Sequence, residues 1–124
     1  LTKLALAYTD RAALHRVLAA RFKTMRDEGL VAEVEGLRGL PGVTRDSVAM
    51  RSVGYRQVWR YLDGEIDYSR MRAEAIAATR QLAKRQLTWL RHSGGMVWFS
   101  ANAPRVSEVV ATYAKVKLSP WLNI

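Results

Sequence analysis

The chain opens on a short apolar run, KLALAY (Lys3–Tyr8), too short for a stable helix and suited to a buried strand. The segment TDRAALHRVLAARFKTMRDEGL follows at once, with Leu14, Val17, Leu18, Phe22 and Met25 at i, i+3, i+4 spacing. That spacing predicts one helix with a single buried stripe. Thr9 or Asp10 can cap its first turn, and Gly29 supplies the left-handed stop. A strand running straight into a helix is half of a βα unit. Since a lone strand leaves both edges and faces unsatisfied, Lys3–Tyr8 is expected to pair with a sheet encoded elsewhere.

A short helix LVAEVEGL (Leu30–Leu37) comes next, then a loop at GLPGVT (Gly39–Thr44), where Pro and Gly break the pattern. SVAMRSVGYRQVWRYL reads as helical with an interruption near Gly54. DGEIDYS links it to a long helix over Tyr68–Arg91, capped by Asp67 or Ser69. After HSGG the pattern predicts a strand over Met96–Phe99 and an amphipathic helix over Ala103–Ala114, with KLSPWLNI left unassigned. The fold class is mainly α, with one or two short strands.

Arg21 falls at the wrong angle for a solvated residue. At about 100° per residue it projects between Val17, Leu18 and Met25 of the apolar stripe, while Arg16, Lys23 and Arg26 take the opposite face. A guanidinium buried there needs a carboxylate, carbonyls or an anionic ligand, because burying it unpaired costs several kcal/mol. Snorkelling or a structural salt bridge is the plainer explanation; a phosphate ligand is the sharper one, because the guanidinium fork matches its oxygens.

The long helix carries two apolar faces. Ala75, Ala78, Leu82 and Trp89 share one with Met71, and Ile76, Ala83, Leu87 and Leu90 form the other, which predicts a helix sandwiched between neighbours. Arg80, Lys84 and Arg91 fall within about 40° of one another as a basic ridge. Arg85 and Gln86 flank the Met71–Trp89 face. A solvated charged face is the ordinary fate of such a ridge, yet Glu74 is the helix's only acidic residue, so i, i+4 pairing does not account for it. Lys and Arg aligned in this way contribute phosphate affinity without base specificity. MRSVGYRQVW (Met50–Trp59) has a related make-up: Gly54 permits close backbone approach, Arg51 and Arg56 are cationic, and Tyr55 offers a ring for base stacking. A helix boundary with core aromatics would give the same composition, and Trp59 reads as core.

Charge and composition narrow the partner. The 124 residues suffice for one modest domain, with 20 Lys+Arg against 11 Asp+Glu, a net charge of +9 and a pI near 10.5. That balance suits nucleic acid, an anionic membrane surface or a diphosphate. The absence of cysteine excludes disulfides and thiolate metal sites. No apolar run approaches the roughly 18 residues of a membrane span, and no signal peptide is visible, so a cytoplasmic protein is expected. The start at Leu1, directly on a strand-like run, reads as a piece of a longer protein. No GxxxxGK[ST] loop and no metal-spaced cluster is present, and His15 and His92 stand alone as surface or cap residues.

The blocks DRAALHRVLAARFKTM, GLVAEVEGL, RSVGYRQVWRYLDGEI and ATRQLAKRQLTWLR, in this order and spacing, closely resemble the C-terminal part of bacterial tRNA dimethylallyltransferases, also called tRNA isopentenyltransferases. The resemblance covers roughly Lys3–Phe99. It implies a family-like core over residues 1–99, a variable helix and tail over 100–124, and a place in the C-terminal portion of an α/β P-loop-type transferase with a parallel sheet. Members often read HxRI where this chain has HRVL, so a cation stands at Arg16 rather than at the position of Val17.

The resemblance further implies transfer of a dimethylallyl group from dimethylallyl diphosphate to N6 of the adenosine 3′ to the anticodon, with the base drawn out of its stack. Arg21 of ARFKTM matches the family's diphosphate-binding arginine and would stabilise the leaving group. The tRNA-contacting segments match Arg51, Ser52, Val53, Gly54, Tyr55 and Arg56, and Lys84, Arg85, Gln86, Leu87, Thr88, Trp89, Leu90 and Arg91. Mg²⁺ is the expected cofactor, with its ligands and the general base in the N-terminal part of such enzymes; no metal ligand is expected in this chain. The expected partners are the tRNA anticodon stem-loop and dimethylallyl diphosphate, with no membrane, for a monomer inactive by itself. A non-enzymatic basic RNA-binding helical module is the alternative.

Overall fold

The computed structural model describes residues 2–122. Strand β1 (Lys3–Ala7) leads into α1 (Arg11–Asp27), then α2 (Leu30–Arg38), a 3-10 turn (Ala49–Arg51), α3 (Tyr55–Leu62), α4 (Tyr68–His92), β2 (Met96–Ser100) and α5 (Val106–Leu122). The chain forms two compact units: Leu14–Gln86, and the segment up to Ala13 together with that from Leu87 on.

Local chemistry sets the helix ends where the sequence marks them. Asp10 caps α1 by accepting the Ala12 N–H at 2.9 Å, and Asp67 caps α4 by accepting that of Arg70 at 2.7 Å. Gly29, at φ 108°, makes the left-handed turn between α1 and α2 that a side chain would strain. His92 closes the last turn of α4, its Nδ1 lying 2.7 Å from the Thr88 carbonyl.

In the Leu14–Gln86 unit, Phe22 of α1, Leu30 and Val34 of α2, Met50, Val58 and Trp59, Ile66, and Met71 and Ala75 of α4 form one buried cluster. Trp59 is core, as its pattern predicts, with the Arg38 guanidinium 5.1 Å from its ring centroid. Around this core, cations and carboxylates alternate in a chain. Arg38 pairs with Asp63 at 2.7 Å, Arg45 with Glu65, Arg60 with Glu65 and Glu74, and Arg70 with Glu74 at 2.8 Å. The links join the end of α2, the Arg45 loop, α3 and the start of α4.

In the other unit, β1 and β2 pair in parallel, from Lys3 with Met96 to Ala7 with Ser100. One partner of β1 thus lies within the chain, where the expectation looked only to a sheet encoded elsewhere. Both strands are visible in the sequence, but parallel partners need a long crossover, and an apolar run carries no signal for which distant run it joins. Phe99 of β2 meets Tyr113 of α5 edge to face, with centroids 5.6 Å apart. Helix α5 begins later and runs further than Ala103–Ala114, taking in Pro120 of the unassigned tail; residues 123–124 lie outside the described part.

Helix α4 differs from the expected two-faced sandwich. Met71 and Ala75 are fully buried, but Leu82 and Trp89 on the same face are 36% and 67% exposed. The second face stays half-buried at Ile76, Ala83, Leu87 and Leu90. Periodicity records which residues share a face, not how far along the helix that face stays covered.

Met71→Ala should therefore cost about 2–5 kcal/mol in urea unfolding, and Leu82→Ala less than about 0.5 kcal/mol. Equal losses would contradict the change of covered face along α4. The ion-pair chain also sets an acid dependence. Hydrogen bonds from Arg45 to Glu65 and from Arg70 to Glu74, with further bonds from Arg60, hold both carboxyls below the ordinary 4.5. A folded-state value below the unfolded one gives stability that is full above pH 4.5 and lost as the pH falls through the lower folded values. Thermal midpoints measured across that range should fall more for the native chain than for a Glu65→Gln, Glu74→Gln variant; parallel profiles would contradict it.

Candidate functional site

The RSVGYR segment is held from inside and presents cations outside. Met50 is buried ahead of it, and the 3-10 turn closes through Arg51 N–H to Ser47 O and Ser52 N–H to Ala49 O. Gly54 is buried at φ 94°, a conformation that strains other residues, and it begins α3. Its N–H donates to Oε1 of Gln57 at 2.8 Å, the reach-back half of a capping box. Gln57, at 4% exposure, is the buried polar side chain of the described residues.

Tyr55 donates its hydroxyl to the Glu33 carboxylate of α2 and packs half-buried on the core. That hydrogen bond, aided by partial burial and the carboxylate's charge, pushes the Tyr55 hydroxyl up. The ring that sequence reasoning offers for base stacking is thus partly engaged within the chain. Val53 is half-buried, whereas Arg51, Ser52 and Arg56 are exposed.

Helix α4 sorts its candidates by angle. Leu87 and Leu90 are half-buried and act as anchors. Arg80, Lys84 and Arg91 stand exposed on one side, and Arg85, Leu82 and Trp89 on another; Gln86 and Thr88 are exposed as well. An indole 67% exposed beside arginine is unusual for core packing and well suited to stacking.

The partition of charge is the main electrostatic feature. Asp63, Glu65 and Glu74 are taken up by Arg38, Arg45, Arg60 and Arg70, and Asp27 by Lys23 and Arg26. Glu74 is the last carboxylate before Glu108, so Arg80, Lys84, Arg85 and Arg91 follow it with no acid in sequence. Among the described residues, Arg51, Arg56, Arg80, Arg85 and Arg91 make no ion pair. No carboxylate among the described residues pairs with them, which leaves their charge available to a polyanion.

Arg21 requires a correction. It is exposed, not buried within an apolar stripe, and Val17 one turn earlier is 42% exposed. The covered face of α1 is rotated towards Phe22, its one buried residue, with Leu14, Leu18 and Met25 half-buried; Arg21 lies on the rim. The half-buried arginine is Arg26, assigned above to the solvated face. It pairs with Asp27 at 3.3 Å and lies 5.7 Å from the Tyr68 ring centroid. A wheel of α1 alone carries no signal for Tyr68, which α4 supplies. Burial therefore imposes no partner on Arg21, which makes no ion pair among the described residues.

Known proteins resemble this chain over most of its length. The IPP transferase family model matches residues 1–93. A tRNA dimethylallyltransferase of Thiobacillus denitrificans is 57% identical over 95 residues, covering 77% of this chain and 30% of its own length. One from Stenotrophomonas maltophilia is 48% identical over 118 residues, covering 90% of this chain and 37% of its own. The full-length tRNA isopentenylpyrophosphate transferase from Bacillus halodurans superposes with a TM-score of 0.82 at 27% identity, over 94% of this chain and 38% of that one. The chain thus spans about a third of the length of these relatives and matches their C-terminal part. With a mostly helical body, one parallel strand pair and more than half its length matched by the family model, the chain belongs to the IPP transferase family.

Proposed function

We propose that this chain is the diphosphate- and tRNA-binding part of an enzyme that moves a dimethylallyl group from dimethylallyl diphosphate to N6 of the adenosine 3′ to the anticodon. The observation that carries the reading is the partition of charge: Asp63, Glu65 and Glu74 cluster with Arg38, Arg45, Arg60 and Arg70, while Arg51, Arg56, Arg80, Arg85 and Arg91 stand exposed and, among the described residues, without an ion pair. Those free cations fall within or beside the two segments that resemble the family's tRNA contacts. Arg51 and Arg56 grip the anticodon loop, Lys84, Arg85 and Arg91 meet phosphates, and Trp89 gives a base a surface on which to stack.

Arg21 serves the other substrate. In the transfer, the allylic C–O bond breaks with its electron pair leaving on the diphosphate, and N6 bonds to that carbon and gives up a proton. The base that takes the proton, and the strands that extend the β1–β2 sheet, belong to the rest of the enzyme. A guanidinium aimed at the leaving oxygens is stronger in the transition state than in the ground state, which is what accelerates the step. Arg21 and Val17, i and i−4 on α1, pair an anion-binding fork with exposed apolar surface, the two chemistries of an allylic diphosphate. Among the described residues, no three His, Asp or Glu side chains gather as a cation cage. We place the ligands of the expected Mg²⁺ in the remainder of the enzyme. No helix among the described residues is long and apolar enough to cross a membrane, and the reading is of a monomeric, cytoplasmic enzyme.

In the complete enzyme, Arg21→Ala should slow single-turnover prenyl transfer by about 100-fold or more while tRNA affinity stays within about twofold. A loss of tRNA affinity equal to the loss of rate would contradict the assignment. Arg91→Ala should instead weaken tRNA binding and reduce the slope of log K against log[salt] by about one phosphate contact. An unchanged slope would remove Arg91 from the RNA surface.

A further inference from the structure

Two side chains outside the RNA-facing set fix the conformation of the Arg51–Arg56 segment. Gln57 holds the backbone of Gly54 from inside α3, and Glu33, one helix away, holds the Tyr55 hydroxyl. Of the two, Glu33 is the more informative. It is exposed on α2, so its side chain contributes little apolar burial, and its partner lies 22 positions along the chain. Its charge is also of the wrong sign for a surface meant to meet phosphate. A carboxylate bonded to Tyr55, the sequence neighbour of Arg56, lowers the local positive potential, so on electrostatics alone it opposes RNA binding.

From this juxtaposition we infer that Glu33 is a positioning residue for tRNA recognition: by accepting the Tyr55 hydroxyl it fixes the loop that displays Arg51 and Arg56. The inference rests on the tRNA-binding reading above. Freezing the loop before binding removes an ordering cost that would otherwise be taken from affinity. The effect runs through Tyr55 at one end of the loop while Met50 and Gln57 hold it from the core side. Glu33 itself touches no RNA in this account. Its contribution is the hydrogen bond, and its charge is a small opposing term.

Acceptor and charge can be separated by substitution. Glu33→Gln keeps an acceptor oxygen and removes the charge; Glu33→Ala removes both. Affinity for a tRNA anticodon stem-loop should be measured for the full chain and each variant across a salt series, at a temperature where circular dichroism shows all three folded. Glu33→Ala should weaken binding about fivefold and flatten the salt slope, because Arg51 and Arg56 no longer meet phosphates together. Glu33→Gln should bind as tightly as the native chain or more tightly. In a double-mutant cycle, adding Glu33→Ala to Tyr55→Phe should cost little beyond Tyr55→Phe alone.

Several results would overturn the inference. Equal tightening by Glu33→Gln and Glu33→Ala would mean that Glu33 acts only as a repelling charge. Equal weakening by both would mean that the charge, not the hydrogen bond, matters. Weakening by Glu33→Ala with an unchanged salt slope would point to a general loss of structure. If the native chain binds the stem-loop and Glu33→Ala matches it, the positioning role alone fails. If the native chain binds no stem-loop, the tRNA-binding reading fails and this inference with it.

Discussion

Everything exposed on α4 depends on how its first half is buried. Met71 and Ala75 have no accessible surface, and they join Phe22, Val34, Val58, Trp59 and Ile66 in one cluster. That contact fixes the rotation of a 25-residue helix. Once the rotation is set at Met71, the angle of every later side chain follows from 3.6 residues per turn. Leu82 must then share the Met71 direction beyond the reach of that core, and Arg80 and Lys84 must stand together elsewhere. The burial of Met71 thus sets the direction in which Arg80, Lys84 and Arg85 point.

Charge is sorted by the same architecture. Three carboxylates of the Leu14–Gln86 unit, Asp63, Glu65 and Glu74, gather where α2, α3 and the start of α4 meet, and Arg38, Arg45, Arg60 and Arg70 are consumed there in pairing. Surface pairs of this kind contribute little stability singly, though a connected set contributes more than isolated pairs. Their larger consequence is the set of cations they leave over. A net charge of +9 spread evenly would give a weak, featureless field. Partitioned as here, it gives a nearly neutral network around the α2–α4 junction and concentrated positive potential at Arg51, Arg56 and the second half of α4.

Much of the fold was legible in the residues. Asp10, Gly29, Asp67 and Gly54 are local signals, read by local rules, and each stands where its rule places it. The pairing of β1 with β2 was not legible, because the partner lies about ninety positions away and an apolar run has no address. Arg21 and Arg26 were exchanged for a related reason. A helical wheel orders side chains around α1, but the covered sector depends on neighbours such as Tyr68 that the wheel does not contain. In the site, the wheel found the α4 ridge, since exposed cations follow from periodicity and charge. It did not find Glu33, whose link to Tyr55 exists only once α2 and the start of α3 are folded together.

The central claim is that the exposed second half of α4 meets the tRNA anticodon stem-loop. Hydroxyl-radical footprinting of side chains, with and without the stem-loop, tests it most directly. Trp89, 67% exposed in the chain alone, should lose most of its reactivity when RNA is bound, while Trp98, 43% exposed, should keep its own. A Trp89 that stays fully reactive in a saturated RNA complex would contradict the account.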